Sequence, residues 1–311
     1  MRIILLSGII IWAMAFTTYK TAIPVSSNYR WVKLTDHAAF SKSYNFQLLS
    51  HHDTLWAFHP QGNYFSLDGK QWIKSPLTNI IHNLAFLDYV YFNQSVYGLG
   101  HFVGNIEKFT LTTPVHRSIN FKSWKLLAKE SNLPKRFFYH PVVFKNKIWL
   151  YGGSDTQQKY GDVWSSTDGV QWKKEANSTS FGKRDGQQFV VFKNKLYMLE
   201  KDVWSSEDGL NWTKVTDKIV NEDIFGYAAI VYDNKIWLMG CSRNGKFGSE
   251  VLVSTDGKTW ESQRAPWSPR GGVALCLHKG KVYLTGGKYG GQDINHPQFE
   301  YSNDVWTLEK I

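Results

Sequence analysis

Cysteine is almost missing from this chain: Cys241 and Cys276 are the only two in 311 residues. Two thiols make no disulfide framework, so folding has to rest on a hydrophobic core. A bridge between them stays permitted after export, but two plain buried thiols are the expectation. Proline is also sparse, with nine residues, which argues against a disordered or low-complexity chain. The net charge of +10 comes without any dense basic run, since the lysines sit scattered in turns such as 145–147 and 193–195. With no RNA-binding signature and no helix-turn-helix pattern, nucleic acid is not an expected partner. Metal-ligand spacing, a phosphate-cradling glycine loop and a nucleophile elbow are all missing, so neither metal nor cofactor is expected. Long apolar runs are confined to the N-terminus. There a single Arg2 precedes the stretch from Ile3 to Phe16. That stretch is too short for an ordinary spanning helix and reads as a secretory signal within residues 1–24. An uncleaved N-terminal anchor is the alternative. The expected location is secreted or periplasmic, with no other membrane contact.

What the chain does have is aromatic residues, glycine and a repeat. Aromatics make up 16% of the residues and glycine contributes 25, a composition suited to many short strands and tight turns. Ser66–Trp72 carries the pattern S-x-D-G-x-x-W, which recurs at Ser166–Trp172, Ser206–Trp212 and Ser254–Trp260. A worn copy stands at Ser118–Trp124, with no Asp-Gly. The Asp-Gly pair is expected to form a two-residue turn needing positive φ. The Trp is expected to pack between neighbouring sheets. A second pattern precedes each turn, as in Pro141–Gly153: an apolar strand, a Lys-Asn-Lys turn and another apolar strand. Such inner hairpins begin near residues 46, 86, 140, 188, 228 and 272. With the Asp-Val-Trp strand and the segment from the motif Trp, each unit has four strands. The expected fold is therefore all-β: a six-bladed β-propeller of four-stranded blades in one domain, 28–311. The chain ends with Asp304-Val-Trp306 lacking a fourth strand, and Tyr29–Thr35 looks like an orphan one. Pairing the two would close the ring and remove exposed edges.

These residues resemble the kelch repeat family. The matching features are Gly152-Gly153 and Gly286-Gly287, the Asp-Val-Trp triads at 162–164, 202–204 and 304–306, and the motif tryptophans. The Ser-x-Asp-Gly turns resemble a shortened Asp-box of sialidase-type propellers. The resemblance implies a fold and leaves function open, because propellers host many activities. The copper chemistry of galactose oxidase, which also contains a kelch-type propeller, has no evident ligands here.

In kelch propellers the loops entering the inner strands share one face with those following the second strands. Aligned on the inner turn, Arg136, Arg184 and Arg270 fall in register, with Ser43, Asn83 and Ile224 in the other three blades. Three guanidinium groups at one axial mouth would hold a carboxylate, sulfate or phosphate. The alternative is that they brace neighbouring loops through carbonyls and acidic side chains. Asp185 and Glu200 share the rim of blade four. Either would serve as a general base if desolvated, or simply pair with an Arg. Ser154, Arg243, Lys288 and His101 follow second strands and are candidates to line the mouth. His140, in register with Gln188, is expected to be a packed core histidine.

Two functions follow. One is a monomeric, non-enzymatic binding module whose loop face takes a protein segment or an anionic glycan or sugar. The other is an enzyme: some periplasmic six-bladed kelch proteins that this chain resembles act as sialic acid epimerases (mutarotases). On that resemblance the Arg cluster would hold the sugar carboxylate, and Glu200 or Asp185 would move the proton. No Tyr–Glu nucleophile pair of a sialidase can be assigned.

Overall fold

The computed structural model describes residues 28–44, 46–76, 84–85, 87–100, 102–104, 108–291 and 298–311. The 1–24 segment expected to direct export, Asn83 and His101 lie outside them. All regular structure among the described residues is strand, and no helix there is long and apolar enough to cross a membrane.

Six of the sheets are four-stranded and antiparallel. The first strands of these sheets are Gln47–His51, Asp88–Phe92, Val142–Phe144, Gln188–Phe192, Ala228–Tyr232 and Ala274–His278. Each runs into its second strand through a tight turn. Lys145 and Asn146 have φ of 47° and 59°, and Lys193 with Asn194, Asp233 with Asn234, and Asn93 with Gln94 repeat the pair. Two successive positive φ values match the right-handed twist of the flanking strands, and Asn tolerates them.

The S-x-D-G-x-x-W segment is a wider loop than the two-residue turn expected from Asp-Gly. In the first sheet the third strand ends at Ser66 and the fourth begins at Ile73. Only Gly69 of the pair takes positive φ, at 76°. The side chains close the loop: Ser66 Oγ accepts from the Gly69 amide at 2.8 Å, and Asp68 Oδ1 accepts from the amides of Lys70 and Gln71. Trp72 Nε1 donates to the Gly69 carbonyl at 3.0 Å. Burial opposes ionisation of Asp68, but the amide bonds outweigh it and hold its pKa below the usual value. The worn copy uses the same bonds with Asn120 for Asp, and Phe121 takes the glycine's place at φ 61°.

This loop is also where one sheet seats on the previous one. A Cβ at Gly69 would lie 2.5 Å from Tyr283 Cε1 of the sixth sheet. Gly169 abuts Tyr97, Gly209 abuts Trp149 and Tyr151, and Gly257 abuts Tyr197 in the same way. Gly69→Ala is therefore expected to destabilise by roughly 2–3 kcal/mol, combining backbone strain with overpacking. Gly182→Ala, at φ +80° in open space, should cost only about 1 kcal/mol. Urea titration of both variants checks the difference.

The core follows the same order. One hydrophobic cluster joins Trp56 and Phe58 to Val96 and Trp124, hence sheets one and two. Others join sheets two and three, three and four, four and five, and five and six. A sixth joins Leu48, Leu55 and Trp72 to Cys276, Tyr283 and Val305, hence sheet one to sheet six. Sheet six takes strands from both parts of the chain. Tyr29–Thr35 pairs antiparallel with Val305–Lys310, from Tyr29 opposite Lys310 to Thr35 opposite Val305. Both cysteines are buried and free, and burial pushes Cys241 up to about 11 and Cys276 up to about 12. They behave as small apolar side chains.

Candidate functional site

A cavity of about 500 Å³ opens where the first strands of all six sheets meet. That size falls within the ~300–1,000 Å³ usual for small-ligand sites. One tier of its wall is a set of equivalent positions. Counted back from the first turn of each sheet, Gln47, Asp88, His140, Gln188, Ala228 and Ala274 occupy the same place, and all six line the cavity. The tier is polar across sheets one to four and small and apolar across sheets five and six. Phe46, Val273 and Leu275 extend the apolar side, and Phe138, Phe225 and Tyr227 add aromatic rings to the lining. His140 Nδ1 lies 3.9 Å from Asp88 Oδ1. Gln47 Oε1 accepts the Tyr89 amide at 2.6 Å.

His140 therefore differs from the packed core histidine expected for it: its side chain is 37% exposed and faces the cavity. Asp88 was missed altogether. The signal for both was a polar residue at the head of an otherwise apolar inner strand, repeated in four sheets.

The arginine trio does not gather at the mouth. Arg136 and Arg270 are each 1% exposed, and none of the three lines the cavity. Each guanidinium turns into its own sheet and meets the Asp of the Asp-Val-Trp triad. Arg136 Nη1 donates to Asp162 Oδ1 at 2.6 Å and Nη2 to Oδ2 at 3.2 Å. Arg184 forks onto Asp202 at 2.5 and 3.0 Å, and Arg270 onto Asp304 at 2.5 and 3.0 Å. The triad Trp adds its indole N–H to the same carboxylate, as Trp164 does to Asp162 at 2.8 Å. The remaining guanidinium donors go to carbonyls such as Gly152 and Gly286. A desolvated guanidinium gains most from a bidentate carboxylate, and each of these arginines braces its own sheet in that way. The sequence held the clue: Arg136, Arg184 and Arg270 occur in the three sheets that carry Asp-Val-Trp.

Glu200 belongs to that brace as well. It accepts from Arg184 Nη1 at 2.7 Å, where the other braces use a glycine carbonyl, and it does not line the cavity. Of the two roles the sequence offered for Glu200, this geometry is that of the ion pair. Asp185 does line the cavity, paired on one side with Lys159 at 2.6 Å. Ser154 is buried in a bridge to Phe137 and Lys159, and Arg243 contacts Ser262 and Glu222. Lys288 lies over the rings of Tyr44 and Phe299 at 4.7 and 4.5 Å, and burial lowers its pKa. None of these three lines the cavity. The cavity's acidic residues among those described are Asp88 and Asp185, and no Lys or Arg lines it. Nor does any group of three or more His, Cys, Asp or Glu among the described residues stand ready for a metal ion.

Comparison with known proteins agrees with the architecture. Residues 120–228, about a third of the chain, match the family described as the DUF6242 beta propeller domain. No curated protein matches the chain. A solved structure titled "Structure of YjhT" superposes with a TM-score of 0.69 at 12% identity, covering 89% of this chain and 97% of that one. Likeness at that identity speaks to fold alone. By fold, this chain is a β-propeller.

Proposed function

We propose that the chain is a closed six-bladed propeller of the kelch type that acts outside the cytoplasm as a binding module, with the axial cavity as its site. Its ligand is an uncharged glycan. The observation that carries this reading is the two-sided wall. Carboxylates and amides on one arc suit the hydroxyl edge of a sugar, and small apolar and aromatic groups on the other suit its carbon face. An anionic sugar fits poorly, because two carboxylates line the cavity and the arginines meant for it are held by Asp162, Asp202 and Asp304. The six clusters, one of them joining sheet six to sheet one, support the closed ring.

The Asp88–His140 pair at 3.9 Å favours a second reading, in which His140 moves a proton on the bound sugar, as an epimerase or mutarotase requires. One experiment addresses both. The purified protein is titrated calorimetrically with neutral, cationic and acidic sugars and with Lys-rich peptides, while anomer exchange is followed by NMR. Neutral sugars should bind, and Asp185→Asn should weaken them about tenfold, roughly 1.4 kcal/mol. Binding of acidic sugars or peptides alone would overturn the glycan reading. Exchange accelerated by the native protein and lost in His140→Ala would turn the module into an enzyme.

A further inference from the structure

The segments entering four of the sheets share a lip residue at one register, two positions after Arg136, Arg184, Ile224 and Arg270. Gly186, Gly226 and Gly272 hold three of these places at φ of 74°, 72° and 66°. The fourth holds Phe138, at φ 55°. A bulky L-residue is disfavoured in that region, and glycine is the residue that adopts it freely. The backbone there does not need the ring. The Phe138 carbonyl accepts from the Gly186 amide at 2.8 Å, just as the Gly226 carbonyl accepts from the Gly272 amide at 2.7 Å. Nor does core packing account for it, since Phe138 is 43% exposed. Strain kept without a structural return is characteristic of a functional position.

The surroundings say what that function is. A Cβ on Gly186 or Gly226 would meet nothing within 4 Å, so the lip is open at those sheets. All four lip residues line the cavity, and Phe138 is the one of them that brings a side chain to it. Its ring is set edge-to-face on Phe137 at 4.7 Å and 88°, which fixes its orientation. Two residues further along the same segment stands His140.

We propose that Phe138 is the specificity-determining residue of the axial cavity, stacking its ring on the apolar face of a bound sugar. This inference rests on the glycan reading above. The ring's electron-rich face attracts the weakly positive C–H groups of a pyranose, and the polar arc then takes the hydroxyl edge. One stacked ring also sets which sugar face enters, so epimers that place a hydroxyl on that face are rejected.

The test uses the full chain with Phe138→Gly, Phe138→Leu and Phe138→Tyr, thermal unfolding, and calorimetry against a panel of neutral mono- and disaccharides. The glycine variant should melt within about 3 °C of the native protein, because relief of strain offsets the lost ring. Its affinity should fall about tenfold, the leucine variant should fall with it, and tyrosine should keep binding within about threefold. Undiminished binding by Phe138→Gly overturns the inference and leaves the glycan reading standing. A melting point lowered by more than about 8 °C assigns Phe138 to packing and overturns it too. A native protein that binds no sugar in the panel removes the glycan reading, and the stacking role with it.

Discussion

Asp162→Ala should cost the protein about 3–5 kcal/mol, because it strands the Arg136 guanidinium, 1% exposed, without its carboxylate. For a chain of this size that is a fall of roughly 5–12 °C in melting temperature. The double replacement Arg136→Met with Asp162→Leu should recover much of the loss, because it removes both charges together. Asp202→Ala should do less harm, since Arg184 keeps Glu200 at 2.7 Å. Calorimetry on the three variants checks the order, and equal losses at Asp162 and Asp202 would contradict it.

The brace also sets an acid limit. Burial alone would raise the pKa of Asp162, Asp202 and Asp304, but the bonds from Arg136, Arg184 and Arg270 outweigh it, and all three lie below the usual value. A depressed folded pKa contributes stability that is complete above the unfolded value, about 3.9, and is lost as pH falls through the folded one. The gap between native protein and Asp162→Ala should thus stay constant from neutral pH to about pH 5. It should then narrow below about pH 4, as urea midpoints at each pH would show.

The second large effect concerns the strand Tyr29–Thr35. Its removal leaves Val305–Lys310 with one side unpaired and takes Tyr29 and Trp31 away from their cluster. Losing those two side chains alone should cost about 3–6 kcal/mol. The freed edge invites pairing with another chain. A protein starting at Asp36 is expected to aggregate or to melt more than about 10 °C lower. Light scattering and thermal unfolding read the two outcomes. A monomer with native melting behaviour would mean that the sixth sheet stands without its outer strand.

The strands were legible because they repeat. Starts expected near 46, 86, 140, 188, 228 and 272 lie within two residues of the observed first strands at 47, 88, 142, 188, 228 and 274. Repetition exposes periodic features well, since each copy checks the others. It misleads where a side chain leaves its register. Arg136, Arg184 and Arg270 align in one dimension, yet their long side chains turn inward to an aspartate 18 to 34 residues further on. Alignment gives the position of a Cα and says nothing about where a guanidinium six bonds away ends up. The cavity wall escaped for the opposite reason. Asp88 opens a short strand that reads as apolar and His140 stands two residues before another, and only comparison across sheets reveals the polar tier. Phe138 was invisible as well, because its meaning lies in a φ value that three glycines share.

The meeting of Tyr29–Thr35 with Val305–Lys310 has a temporal consequence. The ribosome delivers one well before the other, separated by roughly 15–55 s at ordinary synthesis rates. Throughout that interval the early segment has no partner, and sheet six cannot assemble. Sheets one to five can stack in the order they emerge, but this join must wait for Val305–Lys310. Nascent chains of this protein should therefore stay sensitive to protease near Trp31 until Val305–Lys310 has emerged.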